Sequence, residues 1–300
     1  MTAVEPLTTA SAATPPKAQD RSERSQARRE RWHLLRRRPA FLFGSLVLLF
    51  WIVCAIGGER ISPYGAKEIG LASAERPGGD FLFGTDTLGR DVLSRVMIGA
   101  RDVLITAPLV AVLSVTAGTL LGLTAGYVRR IADEVISRVM EAILSIPVIL
   151  IGLVVLTNFG QSRWVLILTV AFLFTPIVFR TVRAATLAEA DLDYVMSARL
   201  RGEGALFTMT REILPNITGP IVVELTVRVG YAVFTIATLQ FIAGGGDPAS
   251  PEWGNQVAQT YTQITGSNVW WPAVFPSLAI ASLVIAVNLI ADSVESVYAS

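Results

Sequence analysis

Residues 103–128 read VLITAPLVAVLSVTAGTLLGLTAGYV, a run without a single Asp, Glu, Lys or Arg. At about 1.5 Å of rise per residue, such a helix exceeds the roughly 30 Å hydrocarbon core of a bilayer, so the stretch predicts a transmembrane helix. Outward from it, five more apolar stretches stand at about 41–57, 137–157, 164–182, 219–242 and 272–292, separated by short polar segments. The reading is an all-α polytopic membrane protein with about six transmembrane helices. Composition agrees, since 52% of the 300 residues are hydrophobic and only 16% are charged, too few for a water-soluble surface of this size. A formal net charge of +1 supplies no global field for nucleic acid, so the basic residues are read by position.

Ahead of the first apolar run, residues 1–27 are rich in Ala, Thr, Pro, Ser, Gln and Arg without apolar periodicity, which predicts a disordered tail rather than a cleavable signal. Residues 28–40 place Trp32, Leu34 and Leu35 among six arginines, the pattern of a short interfacial amphipathic segment on an anionic leaflet. His33 belongs to this segment as a solvated or headgroup-facing side chain. If the tail is cytoplasmic, the segments sharing its side hold about 17 of the 25 Lys and Arg residues, so both termini are expected in the cytoplasm. The membrane domain is then 41–295, with an extracytoplasmic loop at 58–102 and a cytoplasmic loop at 183–216. Arg138 and Glu141 at the start of the third stretch are expected to pair at the interface. The single Cys54 sits in an apolar run and makes neither a disulfide nor a metal cluster by itself.

The cytoplasmic segment is too polar to span and reads as helix on both sides of Gly202, with the second helix ending near Pro215. Its shape fits either an elbow that receives a push from another protein or a plain re-entry loop. Ala198, Gly202, Leu214 and Pro215 stand at the spacing of the conserved cytoplasmic loop of binding-protein-dependent ABC importer permeases, and the segment resembles that loop. Met196, Ser197 and Glu212 depart from the common pattern, while Tyr194, Ala198-Arg199 and Leu214-Pro215-Asn216 resemble the version found in permeases for dipeptides, oligopeptides and nickel.

A second run, Gly84-Thr85-Asp86, Gly89-Arg90-Asp91, Ser94-Arg95 and Arg101, resembles the signature leading into the second span of the C-type permease subunit of that subfamily. Read without the resemblance, it is a turn followed by a charged helix start, with Asp86, Arg90, Asp91 and Arg95 pairing locally. Leu239, Phe241, Pro248, Pro251, Trp253-Gly254, Trp271-Pro272, Pro276 and Asn288-Leu289 extend the similarity, so it runs from about residue 30 to 295. Ile236 and Gln240 stand where many relatives carry Glu and Ser, and Ala291, Glu295 and Ser296 depart near the end.

The resemblance implies a type I ABC importer permease fold in the bacterial cytoplasmic (inner) membrane. It also implies a homologous second permease, two ATPase subunits or one fused ATPase chain, and an extracytoplasmic substrate-binding protein. ATP and Mg would be bound by those ATPase partners, with no cofactor on this chain. Peptide is the substrate class implied first, nickel or another small solute the alternative. The residues agree on the division of labour, because no phosphate-binding Gly-rich loop precedes either of the two lysines, Lys17 and Lys67. A self-contained secondary transporter would show broken mid-membrane helices and deep acidic residues in several spans. One intramembrane pair does stand out: Glu224 and Arg228 share a helix face and serve either as a structural ion pair between helices or as part of the pore.

Overall fold

The structure, a computed structural model, describes residues 35, 38–69 and 72–298. The expected tail 1–27, most of the interfacial segment 28–40 and His33 lie outside the described residues. Helix α1 (Pro39–Ile61) opens on a proline, whose missing N–H takes nothing from the helix at that position. Helix α2 (Val92–Val128) is capped by Asp91, which accepts the Ser94 N–H. Then come α3 (Arg130–Leu144), α4 (Val148–Phe159) and α5 (Arg163–Ala190). The elbow contains α6 (Asp193–Leu200), the single turn α7 (Ala205–Phe207), a wider-wound stretch Thr208–Ile213 and the turn α8 (Leu214–Asn216). Helices α9 (Thr218–Ile242), α10 (Trp253–Gly266) and α11 (Trp271–Tyr298) complete the described chain.

Five of these helices, α1, α2, α5, α9 and α11, are long and apolar enough to cross a bilayer singly. The third expected span differs. Helices α3 and α4 meet at 81° across Ser145-Ile146-Pro147 and together make at most one broken span. Two causes act in sequence. Pro147 pushes Ile146 out of the helical region, and α3 carries Arg130, Asp133, Glu134, Arg138 and Glu141, too many charges for hydrocarbon. Arg138 and Glu141 do form the expected pair, at 3.3 Å on an exposed face. The helices also take over both ends of the stretch expected as loop 58–102, since α1 continues to Ile61 and α2 begins at Val92. Likewise Arg183 still belongs to α5, which ends at Ala190.

The bundle is organised around the contact of α2 with α5. Gly118, Gly122 and Gly126 recur every four residues on α2, and a Cβ on them would sit 2.6 Å from Val178 Cβ, 2.9 Å from Val182 Cβ and 2.7 Å from Thr186 Cβ. Backbones this close gain dispersion contact that larger residues would prevent, which matters in lipid, where apolar burial drives no association. Conversely, the outer surface is apolar: Leu46, Phe50 and Ile56 of α1, Phe172 of α5 and Ile285 of α11 are all exposed, as a lipid-facing surface requires.

At one end of the bundle, three tryptophans pin the connections. Trp253 is fully buried and donates its Nε1 to Val96 O at 2.8 Å. Trp51 presents its ring to Trp253 edge-on at 4.8 Å and donates to Ser282 Oγ at 3.0 Å. Trp271 donates to Thr85 O at 2.8 Å. This loop end contains residues 62–91 and 243–270; the elbow lies at the opposite end.

Candidate functional site

At the loop end, the signature residues form a buried polar knot. Asp86 Oδ1 accepts the N–H groups of Leu88 and Arg90, each at 2.9 Å, and its Oδ2 accepts Arg90 Nε at 2.6 Å. Gly89 N closes the turn on Asp86 O at 2.9 Å, while Gly84 N bonds Phe81 O and Thr85 N bonds Glu75 O. Asp91 Oδ2 accepts both the N–H and the hydroxyl of Ser94, at 2.8 and 2.6 Å. The expected local pairing holds for Asp86 with Arg90 alone. Arg90 also reaches Pro248 O at 2.6 Å, and Arg95 donates to Ala66 O at 2.9 Å and Ser250 O at 2.7 Å. Arg95 therefore joins two loops instead of pairing with a neighbouring carboxylate. Arg101, further along α2, is exposed and stands apart from the knot.

At the elbow end, Gly202 has φ +77°, and the α6 terminus closes with Gly202 N on Arg199 O at 3.0 Å and Glu203 N on Ala198 O at 3.2 Å. This paired closure is the glycine-terminated helix end that sets the angle of the next segment. Ala198, Val195 and Ile213 are fully buried against Val178 and Val182 of α5. Tyr194 donates to Glu189 Oε2 at 2.6 Å, and burial together with that bond pushes its phenol up to about 12. Arg199 stacks on the Tyr127 ring of α2 at 4.6 Å. Because Pro215 has no N–H and its ring crowds the preceding turn, the chain widens there, and Leu214 N bonds Met209 O, five residues back. Outward from this anchored face, Met196, Leu200, Leu206 and Phe207 are exposed, Leu200 at 83%.

Glu224 and Arg228 form a pair along α9 itself, with Arg228 Nε on Glu224 Oε2 at 2.9 Å. The link between helices comes instead from Thr181 of α5, whose hydroxyl donates to Glu224 Oε1 at 2.6 Å. Arg228 also lies over the rings of Phe174 and Tyr231, 5.7 and 5.1 Å from their centroids, so both charges have partners in a largely buried setting.

Sequence reading missed a third cluster. Arg163, the first residue of α5, pairs with Asp102 of α2 at the loop end. Beside them lies a cavity of about 420 Å³ lined by Gln161, Arg163, Gln240, Asp247, Glu252 and Asn255 among others. Gln240 donates to Glu252, and Gln161 Nε2 donates to Ala243 O at 2.9 Å. These residues come from four separate segments at unremarkable spacings, so no sequence motif marks them; the odd Gln240 was the single sign. Ile236 and Gln240 are both buried and line a narrow cleft beneath this cavity with Asp102 and Arg163.

Residues 118–298 match the family described as the binding-protein-dependent transport system inner membrane component. Over 268 residues the chain is 35% identical to a putative peptide transport system permease protein of Brucella suis, covering 88% of each protein. It is 33% identical over 274 residues to a di/tripeptide transport system permease protein of Pseudomonas aeruginosa, covering 89% of this chain and 90% of that one. It is 36% identical over 273 residues to the dipeptide transport system permease protein of Escherichia coli K12, with the same coverage. With its helical bundle, apolar outer surface and anchored elbow, the chain belongs to the binding-protein-dependent transport system inner membrane component family, as a permease subunit of an ABC importer.

Proposed function

We propose that the chain forms half of a translocation path for short peptides, that a homologous permease forms the other half, and that the elbow around Gly202 couples this path to separate ATPase subunits. The observation that carries the proposal is the two-sided elbow. One side is packed into the bundle through Val195, Ala198 and Ile213, while the other exposes Met196, Leu200, Leu206 and Phe207 in one short segment. An apolar patch of this kind fits a protein partner. The elbow joins α5 to α9, so a displacement of the patch would tilt two spans together as rigid bodies. The relatives are permeases of peptide, dipeptide and di/tripeptide transport systems, which supports a peptide substrate. The excess of basic residues on the tail and elbow side supports a cytoplasmic placement of both termini, with the loop end outward. Substrate would then arrive from an extracytoplasmic binding protein, and ATP and Mg would act on the partner chains.

The test reconstitutes the full complex in vesicles and follows ATP hydrolysis and dialanine uptake together, for the natural chain and for Gly202→Val. A Cβ on Gly202 would meet nothing within 4 Å, so valine acts through the positive φ alone, which a β-branched residue rarely adopts. The natural complex should accumulate dialanine at the expense of ATP. The variant should insert normally and lose most uptake. Normal coupled uptake by Gly202→Val would sink the lever, and absence of dialanine uptake by the natural complex would sink the peptide reading.

A further inference from the structure

The cavity at the loop end has two carboxylates, Asp247 and Glu252, and one guanidinium, Arg163, in its wall. Glu252 is the residue preceding α10, yet its side chain makes no cap to that helix and turns instead to Gln240 of α9. Among the described residues it has no ion pair; Asp247, also in the wall, has none within contact distance either, although it accepts the Ala249 N–H at 2.9 Å and feels the Arg95 charge from outside the cavity. The one cationic side chain in the wall, Arg163, is engaged with Asp102. A largely buried carboxylate without a counter-ion is expensive to keep charged, and here burial, reinforced by Asp247 and opposed by Arg163, raises the Glu252 carboxyl above the ordinary range.

The remaining polar wall consists mainly of side-chain amides. Gln161 Oε1 is closed to solvent and has no hydrogen-bond partner, although its own Nε2 is tied to Ala243 O. Asn255, 2% exposed, turns its Oδ1 to Gly246 N, and Gln240 is 5% exposed, so both amides are held rigidly in the wall. A primary ammonium carries donors and a positive charge, and it would meet the Glu252 and Asp247 carboxylates at once. A metal ion is a poorer match. No group of three or more His, Cys, Asp or Glu among the described residues is placed to hold one. The volume of about 420 Å³ lies within the roughly 300–1,000 Å³ of ordinary small-ligand sites.

We infer that this cavity, formed by Glu252, Asp247 and Gln161 at the loop end, is a binding site for the free α-ammonium group of the transported peptide. The inference rests on the peptide-import reading and deepens it. The site receives the amino end of the substrate before it enters the path beneath, where the cleft at Ile236 and Gln240 begins. Anionic or amino-blocked compounds have no such anchor.

The test titrates the purified complex, without its binding protein, by calorimetry with dialanine, N-acetyl-dialanine and ethylamine. Dialanine and ethylamine should bind saturably and N-acetyl-dialanine should not. Glu252→Gln should weaken dialanine at least tenfold. Asp247→Asn, a change at an exposed loop position, should weaken it severalfold and guards against a folding defect in the first variant. Equal binding of the free and acetylated peptides, failure of both amines to bind, or unchanged affinity in Asp247→Asn together with loss of folding in Glu252→Gln would overturn the site. Glu252-dependent binding of ethylamine by a complex that takes up no dialanine would keep the site and remove the peptide reading instead.

Discussion

Arg95, near the start of α2, donates Nη2 to the carbonyl of Ser250 at 2.7 Å, across 155 residues of sequence, while its Nη1 holds Ala66 O at 2.9 Å. With 2% of its surface exposed, one guanidinium thus fastens two connections to the head of a helix. That attachment positions the 243–252 segment, and with it Asp247 and Glu252.

Replacing Arg95 by Leu should therefore leave two carbonyls without their charged donor. Each such bond contributes about 1.5–3 kcal/mol, so a loss on the order of 3 kcal/mol or more is expected. Thermal unfolding in detergent should fall, and limited proteolysis should open the 243–252 segment first. Arg95→Lys, with a single point charge in place of a fork, should recover only part of the stability.

Gly122→Val should separate α2 from α5, because its Cβ would stand 2.9 Å from both Val182 Cβ and Arg183 N. Backbone cannot yield as a flexible side chain can, so overpacking of about 1–3 kcal/mol or more is expected. Gly160→Ala offers a comparison, since a Cβ there meets nothing within 4 Å and only its positive φ is at issue. The yield of folded chain after detergent extraction should drop sharply for the first and little for the second.

Glu224 and Arg228 should behave as one unit. Removing a single member of a buried pair leaves an uncompensated charge and costs roughly 3–5 kcal/mol, more than removing both. Glu224→Leu also strips the acceptor from Thr181, whereas Arg228→Leu leaves that bond in place. A double-mutant cycle read by thermal stability should show Glu224→Leu the more damaging single change and the double variant less damaged than the sum. Additive losses would separate the two roles.

Alkali should loosen the elbow through Tyr194. Its phenol titrates near 10 when free and near 12 in the folded chain, so the folded state retains the proton longer. The stabilisation this provides is complete below pH 10 and is lost as pH rises towards 12. Tyr194→Phe should lower stability at neutral pH by removing the bond to Glu189, and should flatten the alkaline decline. Proteolysis at the elbow, followed between pH 9 and 12, reads both effects; an unchanged slope in the variant would assign the decline elsewhere.

Much of this molecule is legible in its sequence. Charge-free stretches such as 103–128 dictate helices because a bilayer offers backbone groups no other partners, and the elbow was legible because Gly202 and Pro215 act on the local backbone. Local chemistry of that kind is written in consecutive residues. The 81° break within the third span is not legible from an apolar average over 137–157, which hides the order of its parts: a charged helix, then Pro147, then an apolar one.

What the tertiary structure alone decided are the partnerships between distant residues. Sequence placed Asp86, Arg90 and Arg95 close together, but only packing turned Arg90 to Pro248 and Arg95 to Ala66 and Ser250. Sequence placed Glu224 and Arg228 on one face, but Thr181 joined them only once α5 and α9 met. The acidic cavity assembles Gln161, Gln240, Asp247 and Glu252 from segments that share no periodicity. Helix formation depends on neighbours three and four residues apart and on the solvent around them, so one sequence suffices to read it; a cavity depends on which surfaces of several helices meet, and that is settled by packing across the whole chain.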